Sequence, residues 1–537
     1  MKESIEGIKR QIDKINREKA WRWFAVIWLA IFPFLCCAAY CLKTDNLISD
    51  LYLPAGLWND DIIYYKEVEG IVHYGIPQGY FGYSDTHALV GSFSVWSPML
   101  LVPWSIWGLF FGWNYMSPIW CNIVMMMLGM GFFAFLAKPN KKQLFWLSVF
   151  YALFIRLTRY ALSAHVESTV YFMVMLLMAL VFYLRRKDAR QKPALIAMIV
   201  ITMVLTWMRP YYIIFLAVPG YYLVKKNRKN SWVMAAVTIV TAGVYFLISK
   251  YLCAAYLDGG TLFDTEFITR FFTHGFLSGV KNVLYILLEG CDTFMKYLGS
   301  AISTGHSFGE NAGISFAIVF VGFVYKLVIA VREKDKETTL RYGYWTSFFV
   351  IMFLAIIFIF RISSGQKHLL GFTVIGILLL AMDGLSEGKM WMIALMYSYL
   401  FVMMTLDSTS WDIPYDMEGA VHAELQAGEE VLHKEIQIKE GGPSYDNTII
   451  WVFDDVVNEE YVYSRWQMLY ALPPGMGINM CLFDKIESDF SNIQSKYIFT
   501  VPGGHTEKHL KELGARKLVE YGGCVIYERT DGRYREK

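Results

Sequence analysis

The chain has 537 residues, of which 55% are hydrophobic and only 18% are charged, whereas an average soluble domain has about 25% charged residues. The bases occur in short clusters between long apolar runs, and the formal net charge is only +2. These values exclude an ordinary soluble protein and give no sign of a nucleic-acid partner. We therefore expect a polytopic membrane protein whose base clusters lie in cytoplasmic loops.

The first apolar run, residues 21–42, follows a charged stretch typical of a helix (KESIEGIKRQIDKINREK). The run is too long for the core of a signal peptide and lacks a small-residue cleavage site, so it predicts a retained membrane helix. The preceding bases place the N-terminus in the cytoplasm. Residues 44–116 are then an external loop, in which the Trp- and Pro-rich segment 95–113 predicts an interfacial or re-entrant helix.

Ten further apolar runs alternate with base clusters, which predicts about eleven membrane spans in all and leaves the C-terminus outside. A long external stretch follows the seventh span and contains an amphipathic or interfacial portion near residues 280–298. The ten later spans are expected at 118–137, 144–154, 170–184, 194–208, 211–224, 233–249, 314–331, 344–360, 369–382 and 391–405.

The composition becomes polar after Leu406, so residues 1–406 are expected to form an all-α transmembrane domain and residues 407–537 a second domain outside the cytoplasm. The tail has strand-like runs (NTIIWVFDD, KYIFTVP, GCVIYER) and a helix-like run (HTEKHLKELGARK). Their order predicts a small α/β domain. Cys481 and Cys524 share this polar region, and the sequence leaves a disulfide between them open.

Two adjacent carboxylates, Asp60 and Asp61, lie just beyond the first apolar run. A double acid at a membrane surface is costly unless it holds a cation, a proton or a substrate. The alternative is a solvated pair that caps an interfacial helix. The loop continues with Tyr64 and with a Gly/Tyr-rich stretch that contains Tyr83 and His87. Aromatic side chains and glycines beside acids suit the binding of a sugar or an acceptor.

A second polar motif, RLTRYALSAHVES, occupies residues 156–168 between two predicted spans. It is predicted to lie on the same side of the membrane as the acidic pair. His165 and Glu167 could face a cleft at the start of the following helix, and with an acid from another loop they could ligate a divalent metal ion. Their spacing is not that of a zinc site. The alternative is an ordinary interfacial loop.

Several bases lie at the external ends of helices, on the side where the charge rule expects few. Taken singly, each is explained by snorkelling or by an ion pair. As a group they predict a site for an anionic group such as a lipid phosphate. The residues concerned are Arg156, Arg159, Arg209, Arg361, Lys367 and His368.

These motifs resemble those of the GT-C superfamily of membrane glycosyltransferases, which includes protein O-mannosyltransferases, aminoarabinose transferases and oligosaccharyltransferase catalytic subunits. The family's external acidic pair is matched by Asp60 and Asp61. RYALSAHVE is similar to the R-x-x-x-G-x-x-D-x-E motif of the oligosaccharyltransferase branch, but is one residue shorter. Arg159, Ser163, His165 and Glu167 take the positions of its Arg, Gly, Asp and Glu.

The resemblance implies a GT-C-like catalytic domain that transfers a sugar from a polyprenyl-phosphate carrier to a glycan, lipid or protein acceptor at the external membrane face. It implies Asp60 as the general base, with Asp61, His165 and Glu167 beside it. Because His165 stands where that motif has Asp, a metal requirement stays open and no cofactor is assigned. The donor phosphate is expected at Arg159, Arg209, Arg361, Lys367 and His368.

Two other classes of protein fit the same pattern. A transporter or flippase of an anionic or polyprenyl-linked lipid would also have many helices, external bases and an acidic site. Its charges would be expected at mid-membrane in broken helices, rather than in external loops. A non-catalytic scaffold with an external domain is the third interpretation.

Overall fold

The structure is a computed structural model, and what it describes is residues 2–43, 47–50, 59–77, 91–93, 97–253, 266–303, 310–360, 368–406, 420–438, 444–463 and 466–535. Up to residue 406 this part of the chain is helical. The helices are α1 (Lys2–Lys43), α2 (Asn59–Tyr74), α3 (Val102–Phe111), α4 (Ser117–Ala137), α5 (Lys141–Leu153), α6 (Ile155–Ala161), α7 (Glu167–Leu184), α8 (Gln191–Met208), α9 (Ala217–Lys226), α10 (Asn230–Tyr251), α11 (Glu266–Thr273), α12 (Phe276–Ser303), α13 (Glu310–Arg332), α14 (Lys336–Ala355), α15 (Leu369–Asp383) and α16 (Glu387–Leu406).

Each of the eleven predicted spans coincides with helical structure, and seven of the described helices are long and apolar enough to cross a membrane: α1, α4, α7, α8, α10, α13 and α14. The third predicted span, residues 144–154, coincides with α5, and the chain bends by 64° between α5 and α6. The sixth is the 3-10 segment Pro210–Leu216 followed by α9. The last two are α15, with 15 residues, and α16, with 20. With seven such helices among the described residues, the chain is an integral membrane protein.

The segment expected at the interface is the ten-residue helix α3, which is too short to cross a bilayer. Its Phe110 and Phe111 are exposed. The long stretch after the seventh span, which the charge rule predicts to be external, contains α11 and the 28-residue helix α12 with the predicted amphipathic portion. Apolar side chains are also exposed along α10, where Ile239 and Phe246 suit contact with lipid.

The helix ends form two polar layers at opposite ends of the bundle. At one end Arg185, after α7, pairs with Asp383 at the end of α15 over 2.8 Å. Lys326 Nζ donates to the carbonyl of Asp383 over 2.8 Å, which caps α15. The other ends of α7 and α15, beginning at Glu167 and Leu369, therefore lie together at the opposite end of the bundle.

The C-terminal region is a small α/β unit, as predicted. Its five-stranded sheet has the order β4-β1-β5-β7-β6, in which β4, β1 and β5 are parallel and β7 is antiparallel to both of its neighbours. β2 and β3 form a separate hairpin. The elements are α17 (Ala420–Glu435), β1 (Thr448–Val452), β2 (Asp454–Val457), β3 (Glu460–Tyr463), β4 (Gly477–Cys481), α18 (Phe483–Asp489), β5 (Tyr497–Thr500), α19 (His505–Glu512), β6 (Arg516–Tyr521) and β7 (Cys524–Glu528).

The disulfide that the sequence left open does not form. Cys481 and Cys524 are both free and buried. They belong to β4 and β7, which are three strand positions apart, or roughly 14 Å at the usual spacing between strands. That separation is beyond the reach of a disulfide.

Helix α2 is packed between the two regions of the protein. Tyr64 and Val68 belong to the core of the membrane region, whereas Ile62, Ile63 and Tyr65 belong to the core of the C-terminal region. This division follows from the helix period, because residues three or four positions apart share a face. The acidic pair at the start of α2 therefore lies where the two regions meet.

Candidate active site

The side chain of Asp61 is fully buried at the start of α2. It lies on the same face of the helix as Tyr64 and Val68, since the three are spaced at three and four residues. Asp60 belongs to the same helical turn, but its side chain lies outside the part of the chain that the structure describes. Of the acidic pair, the structure therefore shows the side-chain position of Asp61.

The turn between α6 and α7 brings His165 to Asp61. His165 Nε2 is 3.3 Å from Asp61 Oδ1, and His165 Nδ1 is 3.7 Å from Glu167 Oε2. Glu167 is the first residue of α7, where the partial positive charge of the helix N-terminus favours a carboxylate. The two predicted motifs thus meet, with the imidazole between two carboxylates.

Arg209 completes a row of alternating charges. Its Nη2 donates to Glu167 Oε1 over 2.7 Å, and both side chains are buried. Arg209 follows the last residue of α8 and is extended, with φ −143°, as expected of a residue before proline. When His165 is protonated, charges of opposite sign alternate along the row of Asp61, His165, Glu167 and Arg209. The attraction between neighbouring charges offsets the cost of burying each one.

The row gives His165 two distinct positions for a proton. A neutral imidazole donates from one nitrogen and accepts at the other, whereas the imidazolium donates from both. A protonated His165 therefore directs one N–H towards Asp61 and the other towards Glu167, at ion-pair distances of 3.3 and 3.7 Å. An arrangement of this kind can hold a carboxylate in one orientation and can store a proton beside it.

Bases and phenols surround the row. Arg156 and Arg159 are buried in α6, and the Tyr160 ring lies edge-on to His165 at a centroid distance of 5.3 Å. His368 Nδ1 and the Tyr211 hydroxyl are hydrogen bonded over 2.9 Å. Because Tyr211 is two residues from Arg209, His368 lies beside the row.

The structure describes only some of the predicted site residues. Tyr83, His87, Arg361 and Lys367 lie outside the described residues. Tyr64 is described and buried, and it is within electrostatic range of Arg209. Its role in binding a sugar or an acceptor stays a prediction.

The described residues do not form a metal centre. Among them there is no group of three or more His, Cys, Asp and Glu side chains that could hold an ion. His165 turns its two nitrogens to different carboxylates instead of converging with them on one point. The described side chains of Asp61, His165 and Glu167 therefore do not converge on a common ion-binding point.

The C-terminal region covers the α2 side of the site. Tyr470, in the 3-10 segment Trp466–Ala471, is buried, and its ring centroid is 5.1 Å from that of Tyr65. Burial raises the pKa of the Tyr470 phenol, and the charge of Asp61 raises it further. Tyr470 is therefore close to the buried acid, although sequence analysis gave no sign of it.

Comparison with known proteins bears on the fold. No protein-family model and no curated protein matches the chain. A crystal structure of ArnT from Cupriavidus metallidurans bound to undecaprenyl phosphate matches with a TM-score of 0.51 and 11% identity, covering 94% of this chain and 98% of that one. The chain has an ArnT-like fold. The apo structure of the same protein matches with a TM-score of only 0.40 and 10% identity, covering 93% and 97%.

The likeness extends over both regions of the chain and confirms the predicted fold class, an all-α membrane region followed by a small α/β region. Asn122, Tyr211 and Tyr470 were missed by the sequence analysis. Of the three, Asn122 had a detectable signal, because it is a lone carboxamide inside an apolar membrane span.

Proposed function

We propose that the protein is a glycosyltransferase that moves a sugar from a polyprenyl-phosphate carrier to an acceptor at the external membrane face. The observation that carries the proposal is the buried row from Asp61 to Arg209, with further bases beside it, in an ArnT-like fold. The side of the membrane follows from the loop charges. ArnT was crystallised with undecaprenyl phosphate, which supports a donor of that class.

Asp60 is the proposed general base. Its carboxylate takes the proton of the acceptor hydroxyl while the hydroxyl oxygen attacks the anomeric carbon. The bond from that carbon to the phosphate oxygen breaks, and the carrier leaves as polyprenyl phosphate. Asp61, His165 and Glu167 orient the base and the acceptor, since their contacts hold them in one row.

The proposed phosphate site consists of Arg159, Arg209, Arg361, Lys367 and His368. Cationic donors stabilise the charge that develops on the departing phosphate. Arg209 is already paired with Glu167, so we assign it to the boundary between the acidic row and the phosphate. Arg159 is buried in α6 on the same side.

The carrier's hydrocarbon tail has a suitable groove. A cavity of about 630 Å³ lies between the 3-10 segment Pro210–Leu216, α9, α10 and α14. Its lining is mostly aliphatic and includes Tyr211, whose hydroxyl is hydrogen bonded to His368. An apolar tail in this groove would place its phosphate beside His368 and Arg209.

The C-terminal region is proposed to lie outside and to help cover the cleft or bind the acceptor. Tyr470 supports this role, because it brings the region to the buried face of α2 beside Asp61. Residues 1–406 would then form the catalytic domain and residues 407–537 the covering domain.

The decisive experiment is turnover of radiolabelled polyprenyl-phosphate sugars by the purified protein, with and without a chelator. We expect the label to leave the lipid, and we expect Asp60→Asn to abolish most of this transfer. Full activity with the chelator would remove the divalent ion from the scheme, whereas loss that added metal restores would establish it. Retention of label on every carrier offered would overturn the proposal.

A lipid transporter remains the competing function, but the position of the charges favours a transferase. Glu167 begins α7, Arg209 follows α8 and His368 precedes α15, so the described charges of the site lie at helix ends. A transporter binds its substrate near the bilayer centre. Movement of labelled lipid across liposomes without cleavage would favour the transporter.

A further inference from the structure

Asn122 is a fully buried carboxamide inside the membrane-spanning helix α4. Burying an amide away from water is costly unless its hydrogen bonds are made. No role in donor, acceptor or proton chemistry has been given to this residue. Its partners show which part of the molecule it holds.

The carboxamide of Asn122 joins three segments. Its Oδ1 accepts from Trp104 Nε1 of α3 over 2.9 Å. Its Nδ2 faces the carbonyl oxygens of Ser163 at 2.7 Å, of Tyr160 at 3.3 Å and of His165 at 3.5 Å, to which its two N–H groups donate. The last carbonyls of a helix lack partners within the helix, so Asn122 caps the end of α6.

The capped segment is the turn that carries His165. Ser163 Oγ accepts from the backbone N–H of His165 over 3.2 Å and donates to the carbonyl of Tyr160 over 3.0 Å. The same turn is therefore held from within by Ser163 and from α4 by Asn122. This backbone sets the reach of the imidazole to Asp61 and Glu167.

We propose that Asn122 is a positioning residue, which holds the turn at residues 160–165 so that His165 lies between Asp61 and Glu167. Its effect on catalysis rests on the proposed function, but the positioning itself does not. Replacing Asn122 with Asp keeps the acceptor for Trp104 and removes both N–H donors, so that at most one of the three carbonyls keeps a donor, the O–H of a protonated Asp. The turn and the imidazole should then shift.

The kinetic test compares Asn122→Asp with Cys121→Ala. Cys121 is the neighbouring residue on α4; it is buried and its thiol contacts the carbonyl of Pro103 instead of the turn. We expect kcat for sugar transfer to fall by about 10- to 100-fold in Asn122→Asp, with an altered pH–rate profile and an unchanged KM for the donor. Cys121→Ala should keep the wild-type profile.

A second readout does not need activity. In protein labelled with ¹³C-histidine, the signal that disappears in His165→Gln identifies His165, which lies beside Asp61, Glu167 and Tyr160. We expect this titration to change in Asn122→Asp and to stay as in wild type in Cys121→Ala. An unchanged His165 titration in folded Asn122→Asp would overturn the positioning role. Absence of transferase activity in wild type would overturn only the proposed function.

Discussion

Glu167 and Arg209 form a buried ion pair in which each residue depends on the other. Both side chains are buried, and they are 2.7 Å apart. Removing one member of a buried ion pair leaves an uncompensated charge, which is more costly than replacing both members with apolar groups. Each residue is therefore needed because the other is present.

Replacing Glu167 alone should strongly destabilise the protein. We expect Glu167→Gln to lower the free energy of unfolding by about 3–5 kcal/mol, because Arg209 loses its carboxylate. Unfolding of the purified protein in mixed detergent micelles measures the change. The double variant Glu167→Gln with Arg209→Met should recover much of the loss. A double variant as unstable as the single one would show that the pair is not the cause.

Asp60 should be separable from the donor site by substitution. We expect Asp60→Asn to lower turnover by about 10²–10⁴-fold, because the acceptor loses its base, while the donor lipid still binds. Replacing Arg361 or Lys367 should instead weaken donor binding by about 1.5–3 kcal/mol for one charge-assisted hydrogen bond. Turnover and donor-lipid binding are measured in parallel. Near-normal turnover by Asp60→Asn would remove Asp60 from the mechanism.

At the scale of elements, α2 connects the acidic site to the C-terminal region. Lys66 Nζ donates to Glu69 Oε2 over 2.8 Å and to the carbonyl of Leu472 over 2.6 Å. Burial raises the pKa of the Glu69 carboxyl, and the ammonium of Lys66 counteracts this rise. The Lys66 ammonium thereby reduces the cost of burying Glu69 in the interface, and it also binds the segment that carries Tyr470.

Loss of Lys66 should loosen the C-terminal region from α2. In Lys66→Met, the carbonyl of Leu472 and the buried Glu69 lose their cation, so the interface should open more often. We expect faster limited proteolysis of the C-terminal region than in wild type. Lys434→Met is the matched control, because that lysine is exposed on α17. Equal cleavage rates in the two variants would contradict the role of Lys66.

We expect the stability of the C-terminal region to depend on pH through Glu507 of α19. Burial by itself raises the pKa of Glu507, but the N–H of Gly503, the Tyr527 hydroxyl and Lys511 outweigh it and lower the pKa to about 2. The folded pKa is below the usual value of 4.5, so this stabilisation is present above that pH and is lost as the pH falls towards about 2.

Glu507→Gln should therefore lower the stability of the C-terminal region at neutral pH, and the difference from wild type should shrink as the pH falls from about 4.5 to 2. Thermal unfolding of the full chain across this range, followed by the near-ultraviolet signal of the C-terminal region, measures the effect. A difference that is independent of pH would mean that the charge of Glu507 is not responsible.

For the whole molecule, the contacts place the site and the C-terminal region at one end. Asp61 lies within 3.3 Å of His165, and α2 binds the C-terminal region through Lys66. The pair of Arg185 and Asp383 marks the opposite end. The charge rule predicts that the site end is external.

Cysteine labelling tests this orientation. In a Cys291→Ser background, which removes an exposed thiol, an impermeant reagent added to intact cells should label Tyr461→Cys and spare Lys187→Cys. Both positions are exposed, and Lys187 lies at the end marked by Arg185. Labelling of Lys187→Cys alone would reverse the assigned orientation.

The sequence by itself determined the class of fold and the two motifs of the site. Runs of apolar residues are read reliably as spans, because an unpaired backbone cannot cross lipid. Asp61, His165 and Glu167 were detectable because charges in an apolar chain are costly and therefore conspicuous. The strands β1, β5 and β7 were found from their apolar runs, whereas β4 and β6 were not.

Only the tertiary structure decided which side chains contact one another in the site. Glu167 meets Arg209 across 42 residues, Tyr211 meets His368 across 157, and Asn122 reaches a turn about 40 residues away. Such contacts depend on which face of each helix packs inward. In a membrane protein the lipid-facing and buried faces are both apolar, so the hydrophobic pattern cannot distinguish them. Packing of the helices against one another settles that choice.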